Sequence, residues 1–90
     1  MSVKRPFVLW VRIGSDEYNW HSSFSTAQRA KARAERVLAD GFLGLRLLKV
    51  TAVMVTDDRN GKALLERVAP GWKAPLSITR ELLLSKRKRS

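Results

Sequence analysis

Residues 25–41 have the sequence STAQRAKARAERVLADG, which carries the clearest helix signal in the chain. Its beginning, Ser25-Thr26-Ala27-Gln28, matches a capping box, in which the Ser25 hydroxyl accepts from the backbone N–H of Gln28. Gly41 is a typical residue to end a helix, because glycine adopts the left-handed conformation required there. The stretch therefore predicts a helix over about residues 26–40. Its apolar face is narrow and mostly alanine, formed by Ala27, Ala30, Ala34, Val37 and Leu38.

Two strand-like runs precede the helix. Residues 7–13, FVLWVRI, alternate along the chain and are rich in β-branched and aromatic side chains, which is typical of a strand. Residues 18–24, YNWHSSF, alternate in the same way, and the sequence GSDE between the two runs favours a turn. We therefore expect an antiparallel hairpin, with Trp10 and Arg12 on a partly exposed face. The opposite face of the first strand should contact the core through Phe7, Leu9, Val11 and Ile13.

Two more strands are predicted after the helix. Residues 42–47 form an apolar connection, and residues 48–56, LKVTAVMVT, are a β-branched run. Asn60-Gly61 favours a hairpin turn, after which residues 62–68 return as a strand. The order β-β-α-β-β predicts an α+β fold, a small two-layer domain in which one helix packs on one face of an antiparallel sheet.

The length of 90 residues suits a single domain. We expect this domain to span residues 1–85, with its compact part at about 5–70. Residues 71–85 are expected to be irregular, to form a short edge strand or to form a short helix, packed on that compact part. Residues 86–90 are predicted to be a disordered basic tail.

The composition excludes several classes of site. The chain has no cysteine, so it has no disulfide, no thiolate nucleophile and no cysteine-ligated metal centre. No apolar run approaches the roughly 20 residues of a membrane-spanning helix, and we expect no membrane span and a cytoplasmic location. The glycines match no phosphate-cradling loop, and residues 57–61 lack the alternating ligands of a calcium loop.

His21 is the one histidine and the first residue to consider for catalysis. A histidine base must lie within hydrogen-bond reach of its nucleophile. Neighbours on a strand point to opposite faces, so His21 and Ser22 are not expected to meet. Asp16 and Glu17 are adjacent carboxylates, but they lie in a predicted turn without a cleft. The sequence thus predicts no enzyme: no catalytic residue, no metal site, no cofactor and no small-molecule substrate.

Positive charge is the strongest functional signal in this chain. The net charge of +10 favours anionic partners. Arg29, Arg33 and Arg36 lie on one line down the predicted helix, and guanidinium groups bind phosphate bidentately. We interpret the chain as a binding module that contacts the backbone of nucleic acid. Further candidate contacts are Trp10 and Arg12, as stacking or base-edge groups, and the tail residues Lys86, Arg87, Lys88 and Arg89.

Each of these features also has a purely structural interpretation. The arginines can form an ordinary solvated helix face, Trp10 can pack under the C-terminal segment, and the tail can serve solubility alone. The rival function is a protein-interaction or adaptor module, including a homodimer, because an open sheet edge invites pairing with another chain. The aromatic–glycine signature of RNA-recognition motifs is absent, as are the KH-loop and zinc-finger patterns.

Overall fold

A computed structural model of the chain describes residues 4–43 and 48–74, and it confirms the predicted β-β-α-β-β order. The elements are β1 (Phe7–Ile13), β2 (Tyr18–Phe24), α1 (Ala27–Asp40), β3 (Phe42–Leu43), β4 (Leu48–Asp57) and β5 (Lys62–Val68). Strand pairing is antiparallel throughout these elements, and the four main strands lie in the order β2-β1-β4-β5. The two-residue strand β3 pairs with the start of β4, where the sequence predicted only an apolar connection.

Both ends of helix α1 are closed by local hydrogen bonds. The N-cap is Thr26, whose hydroxyl accepts from the backbone N–H of Arg29 at 3.2 Å. The predicted capping box starting at Ser25 is therefore wrong by one residue, because Thr26 carries an equivalent hydroxyl three residues before Arg29. Gly41 ends the helix as predicted, with φ 79° and its N–H donating to the Val37 carbonyl at 3.1 Å.

The main core lies between the helix and the sheet. The helix contributes the buried side chains of Ala30, Ala34 and Val37. Because alanine is short, the helix approaches the sheet closely, and the larger strand side chains fill the interface. The strands contribute the buried side chains of Leu9, Val11, Val50, Val53 and Val55, with Phe7, Ile13, Phe24, Leu38, Leu64 and Leu65 packed around them.

On the sheet face away from the helix, the side chains of Trp10 and Arg12 are buried, contrary to the prediction that they lie on a partly exposed face. Trp10 and Arg12 are each only 6% exposed. The indole N–H of Trp10 donates to the Thr56 hydroxyl at 2.9 Å, and the Tyr18 hydroxyl donates to Glu66 at 2.9 Å. A second apolar cluster forms on this face, made of Val8, Trp10, Tyr18, Ala52 and Met54 with Val68 beside them.

The chain after β5 is attached to this second face. The Ala69 N–H donates to the Thr51 carbonyl at 2.9 Å, which extends the β4–β5 ladder by one bond. Further along, the Lys73 carbonyl accepts from the guanidinium of Arg12 at 2.8 Å. These contacts hold residues 69–74 against the sheet. The predicted C-terminal segment beyond residue 74 and the predicted basic tail lie outside the described residues.

Candidate nucleic-acid interface

The three helix arginines form an exposed row on α1. Arg29, Arg33 and Arg36 are all exposed, because the helix turns Ala30, Ala34 and Val37 towards the sheet instead. In the part of the chain that the structure describes, the one ion pair joins Arg59 to Asp57 at 2.8 Å. None of the described carboxylates forms an ion pair with Arg29, Arg33 or Arg36. We call these three residues the arginine row.

A β-bulge in strand β2 changes what lies beside the arginine row. Leu9 pairs with Ser22 and Trp10 pairs with Trp20, so His21 has no partner on β1. An extra residue of this kind re-aims the side chains around it. As a result the Nδ1 atom of His21 lies 2.8 Å from the Ser22 hydroxyl. The expectation that these two side chains do not meet is wrong, since it assumed regular alternation.

The His21 imidazole is electrostatically coupled to the arginine row. Partial burial lowers its pKa below the ordinary value of 6.5, and the positive charge of Arg33 lowers the pKa further. Both effects favour the neutral imidazole, and its Nδ1 atom contacts the Ser22 hydroxyl. Next to Arg33 the edge of β2 thus presents polar groups that carry no negative charge.

A shallow groove continues this surface at the start of the helix. It has a volume of about 230 Å³ and is lined by Arg5, Ser23, Phe24, Ser25 and Arg29. Of these five residues, only Arg29 was predicted from the sequence as a site residue. The sequence feature that could have drawn attention to Arg5 is Pro6, because proline fixes an extended backbone directly after Arg5. In the structure the Pro6 carbonyl accepts from the Asp58 N–H at 2.7 Å, which fixes this end of β1 to the β4–β5 turn.

The remaining predicted contacts do not join this surface. Trp10 and Arg12 are buried on the opposite face of the sheet, where their polar groups are hydrogen-bonded to Thr56, Thr51 and Lys73. Neither side chain is placed to stack on a base or to read a base edge. The tail residues Lys86, Arg87, Lys88 and Arg89 lie outside the described residues.

Several large apolar side chains are exposed elsewhere. Trp20 is 56% exposed on β2, which among the described strands pairs only with β1. Its cross-strand partner is the buried Trp10, so Trp20 lies on the face away from the helix. The other exposed large apolar residues are Phe42, Leu48 and Trp72.

Comparisons with known proteins assign the chain to no family. No protein-family model matches the chain, and no curated protein or solved structure matches it at a significant level. Across residues 4–43 and 48–74 there is no helix long and apolar enough to cross a bilayer. The same residues contain no group of three metal-ligating side chains. Any assignment of function therefore rests on the surface described above.

Proposed function

We propose that this protein is a non-enzymatic, cytoplasmic binding module that contacts the phosphate backbone of nucleic acid through helix α1. The observation that carries the proposal is the arginine row. Its three guanidinium groups are exposed, lie on one side of a single rigid helix and have no carboxylate partner among the described residues.

The spacing of the row suits a repeating anion. Residues three and four apart on a helix lie roughly 5–6 Å from each other, so Arg29, Arg33 and Arg36 form a continuous line of charge. Like charges at this spacing repel each other, and a bound phosphate backbone relieves that repulsion. Backbone contacts of this kind position a protein on nucleic acid without reading its sequence.

The proposal is tested by fluorescence anisotropy with a labelled oligonucleotide and the full chain. The variant Arg29→Ala/Arg33→Ala/Arg36→Ala should bind at least tenfold more weakly than the wild type. Alanine is a good helix former and these positions are exposed, so the variant should keep its helical circular dichroism.

A matched variant controls for the loss of net charge. Lys31→Ala/Lys62→Ala/Arg67→Ala also removes three exposed positive charges, but none of them belongs to the arginine row. It should lose much less affinity than the row variant. Equal losses in the two variants would show that net charge, and not the row, drives binding.

A second candidate function is self-association through the open edge of β2. It is favoured by Trp20, a large exposed aromatic side chain on that edge. A sedimentation mass near twice 10.2 kDa that falls to the monomer value in Trp20→Ser would support it. A monomer at high micromolar concentration would exclude it.

A further inference from the structure

We propose that the groove lined by Arg5, Ser23, Phe24, Ser25 and Arg29 holds one unstacked nucleotide, with its phosphate on the two arginines and its base or sugar against Phe24. The protein then prefers single-stranded nucleic acid to duplex. This inference rests on the proposed nucleic-acid function and names the class of nucleic acid that the surface takes.

The polar groups of the groove suit a phosphate. Arg5 precedes β1 and Arg29 belongs to the first turn of α1, so two separate elements bring two guanidinium groups to one concavity. Guanidinium groups bind phosphate oxygens in a bidentate geometry, and serine hydroxyls supply additional donors. Neither arginine is ion-paired in the described residues.

The proposed site is formed by side chains and not by the backbone N–H groups at the start of helix α1. The Thr26 hydroxyl already accepts from the backbone N–H of Arg29 and caps the first turn from within the chain. The backbone N–H of Arg29 is therefore occupied, and Arg29 lines the groove with its guanidinium group.

Phe24 adds an apolar wall that a bare phosphate does not require. Its ring is partly buried and packs against the helix-facing core, and β2 pairs it with Phe7. A ring held in this way is already ordered before a ligand binds. Bases of a single strand are free to contact aromatic side chains, whereas paired bases in a duplex remain stacked inside it.

The size of the groove suits one unit of a nucleic-acid chain. Its volume of about 230 Å³ lies below the roughly 300–1,000 Å³ of pockets for drug-sized ligands. A phosphate with part of its nucleoside fits this volume. The remaining strand would then follow the arginine row, since Arg29 belongs to both the groove and the row.

The first test compares a 12-nucleotide oligothymidylate with a 12-base-pair duplex, using the full chain and fluorescence anisotropy. The wild type should bind the single strand at least fivefold more tightly. Arg5→Ala and Phe24→Leu should each reduce this ratio to about one, with the larger loss on the single strand. Lys4→Ala removes the same charge one residue before Arg5 but does not line the groove, and it should keep the preference.

The second test locates the ligand by NMR with thymidine 5′-monophosphate and with inorganic phosphate. Thymidine monophosphate should shift the amide signals of Ser23, Phe24 and Ser25 at concentrations at which inorganic phosphate does not. Equal shifts with both ligands would overturn the role of Phe24. Shifts with neither ligand would overturn the site, and this readout does not depend on Phe24→Leu folding normally.

The outcomes separate this inference from the proposed function. If duplex and single strand bind equally and the row variant loses both, backbone binding stands and the groove proposal is wrong. If no oligonucleotide binds but the mononucleotide shifts the groove signals, the groove is a mononucleotide site, and both the proposed function and the single-strand preference are wrong.

Discussion

The guanidinium Nε of Arg12 donates to the Thr51 hydroxyl at 2.8 Å, beneath the sheet face that lies away from the helix. The same guanidinium also donates to the Lys73 carbonyl at 2.8 Å, and Thr51 donates to the Gly14 carbonyl at 2.6 Å. Arg12 thus connects β1, β4, the β1–β2 turn and the chain after β5. This arginine is a structural residue, in contrast to the exposed arginines on α1.

Replacing Arg12 should therefore lower stability. Arg12→Met keeps an apolar stem of similar length but leaves the Thr51 hydroxyl and the Lys73 carbonyl without their donor. Hydrogen bonds to charged groups contribute about 1.5–3 kcal/mol, and we expect a loss of about 2 kcal/mol in the free energy of unfolding. Urea denaturation measures this loss. Arg67→Met, at an exposed position, should change stability by less than about 0.5 kcal/mol.

Wild-type stability in Arg12→Met would contradict this prediction. Burial of a charge costs free energy, and an apolar replacement is sometimes as stable as the charged residue. If Arg12→Met unfolds at the wild-type urea concentration, its hydrogen bonds only offset the cost of burying the guanidinium, and the prediction is wrong.

The β4–β5 turn depends on Asp57. Its Oδ1 accepts from the backbone N–H of Arg59 at 2.9 Å, and its Oδ2 accepts from the guanidinium of Arg59 at 2.8 Å. The hydrogen bond from the Arg59 side chain holds the pKa of Asp57 below its ordinary value of 3.8, although burial acts in the opposite direction. The stabilisation from Asp57 is thus fully present above about pH 3.8 and is lost as the pH falls through the lowered pKa.

Asp57→Asn should accordingly be less stable than the wild type at pH 7, because the amide keeps one acceptor but loses the charge. The difference in urea midpoint should shrink as the pH is lowered below about 3.8. Asp16→Asn, at an exposed position in the β1–β2 turn, serves as the control for the loss of one negative charge. A pH-independent difference for Asp57→Asn would contradict the electrostatic explanation.

His21 gives a second pH signature, with the same sign as that of Asp57 but at a higher pH. Its pKa is lowered in the folded state by burial and by Arg33, so the unfolded chain binds a proton more readily. Its contribution to stability is present above about pH 6.5 and is lost as the pH falls from there towards the lowered pKa. An NMR titration of the imidazole should give a midpoint below 6.5. Arg33→Gln should raise that midpoint, and an unchanged midpoint would show that burial alone causes the shift.

The arginine row should also be visible in the salt dependence of binding. Each phosphate contact on a single strand contributes about 0.7 to the slope of log K against log [salt]. The row variant should therefore reduce the magnitude of the slope by about 2, provided that all three arginines contact phosphates. Anisotropy titrations at several salt concentrations measure this slope. A variant with the wild-type slope would remove the row from the interface.

The sequence predicts the individual elements well because their signals are local. The alternating runs at residues 7–13 and 18–24 match β1 and β2, and Gly41 ends the helix at its predicted position. The exposed arginine row was predictable for the same reason, since helical periodicity alone separates its arginines from Ala30 and Ala34. Even the N-cap was misplaced by only one residue, because Ser25 and Thr26 carry equivalent hydroxyls.

Only the tertiary structure decides how these elements combine. The bulge at His21 depends on the register between β1 and β2, which regular alternation does not reveal. Trp10 and Arg12 are buried because β4 and residues 69–74 supply their hydrogen-bond partners from distant parts of the sequence. Arg5 and Arg29 line the same groove because the fold brings together two distant parts of the sequence. Periodicity along the chain reports which way a side chain points, whereas contacts between distant residues determine what it meets.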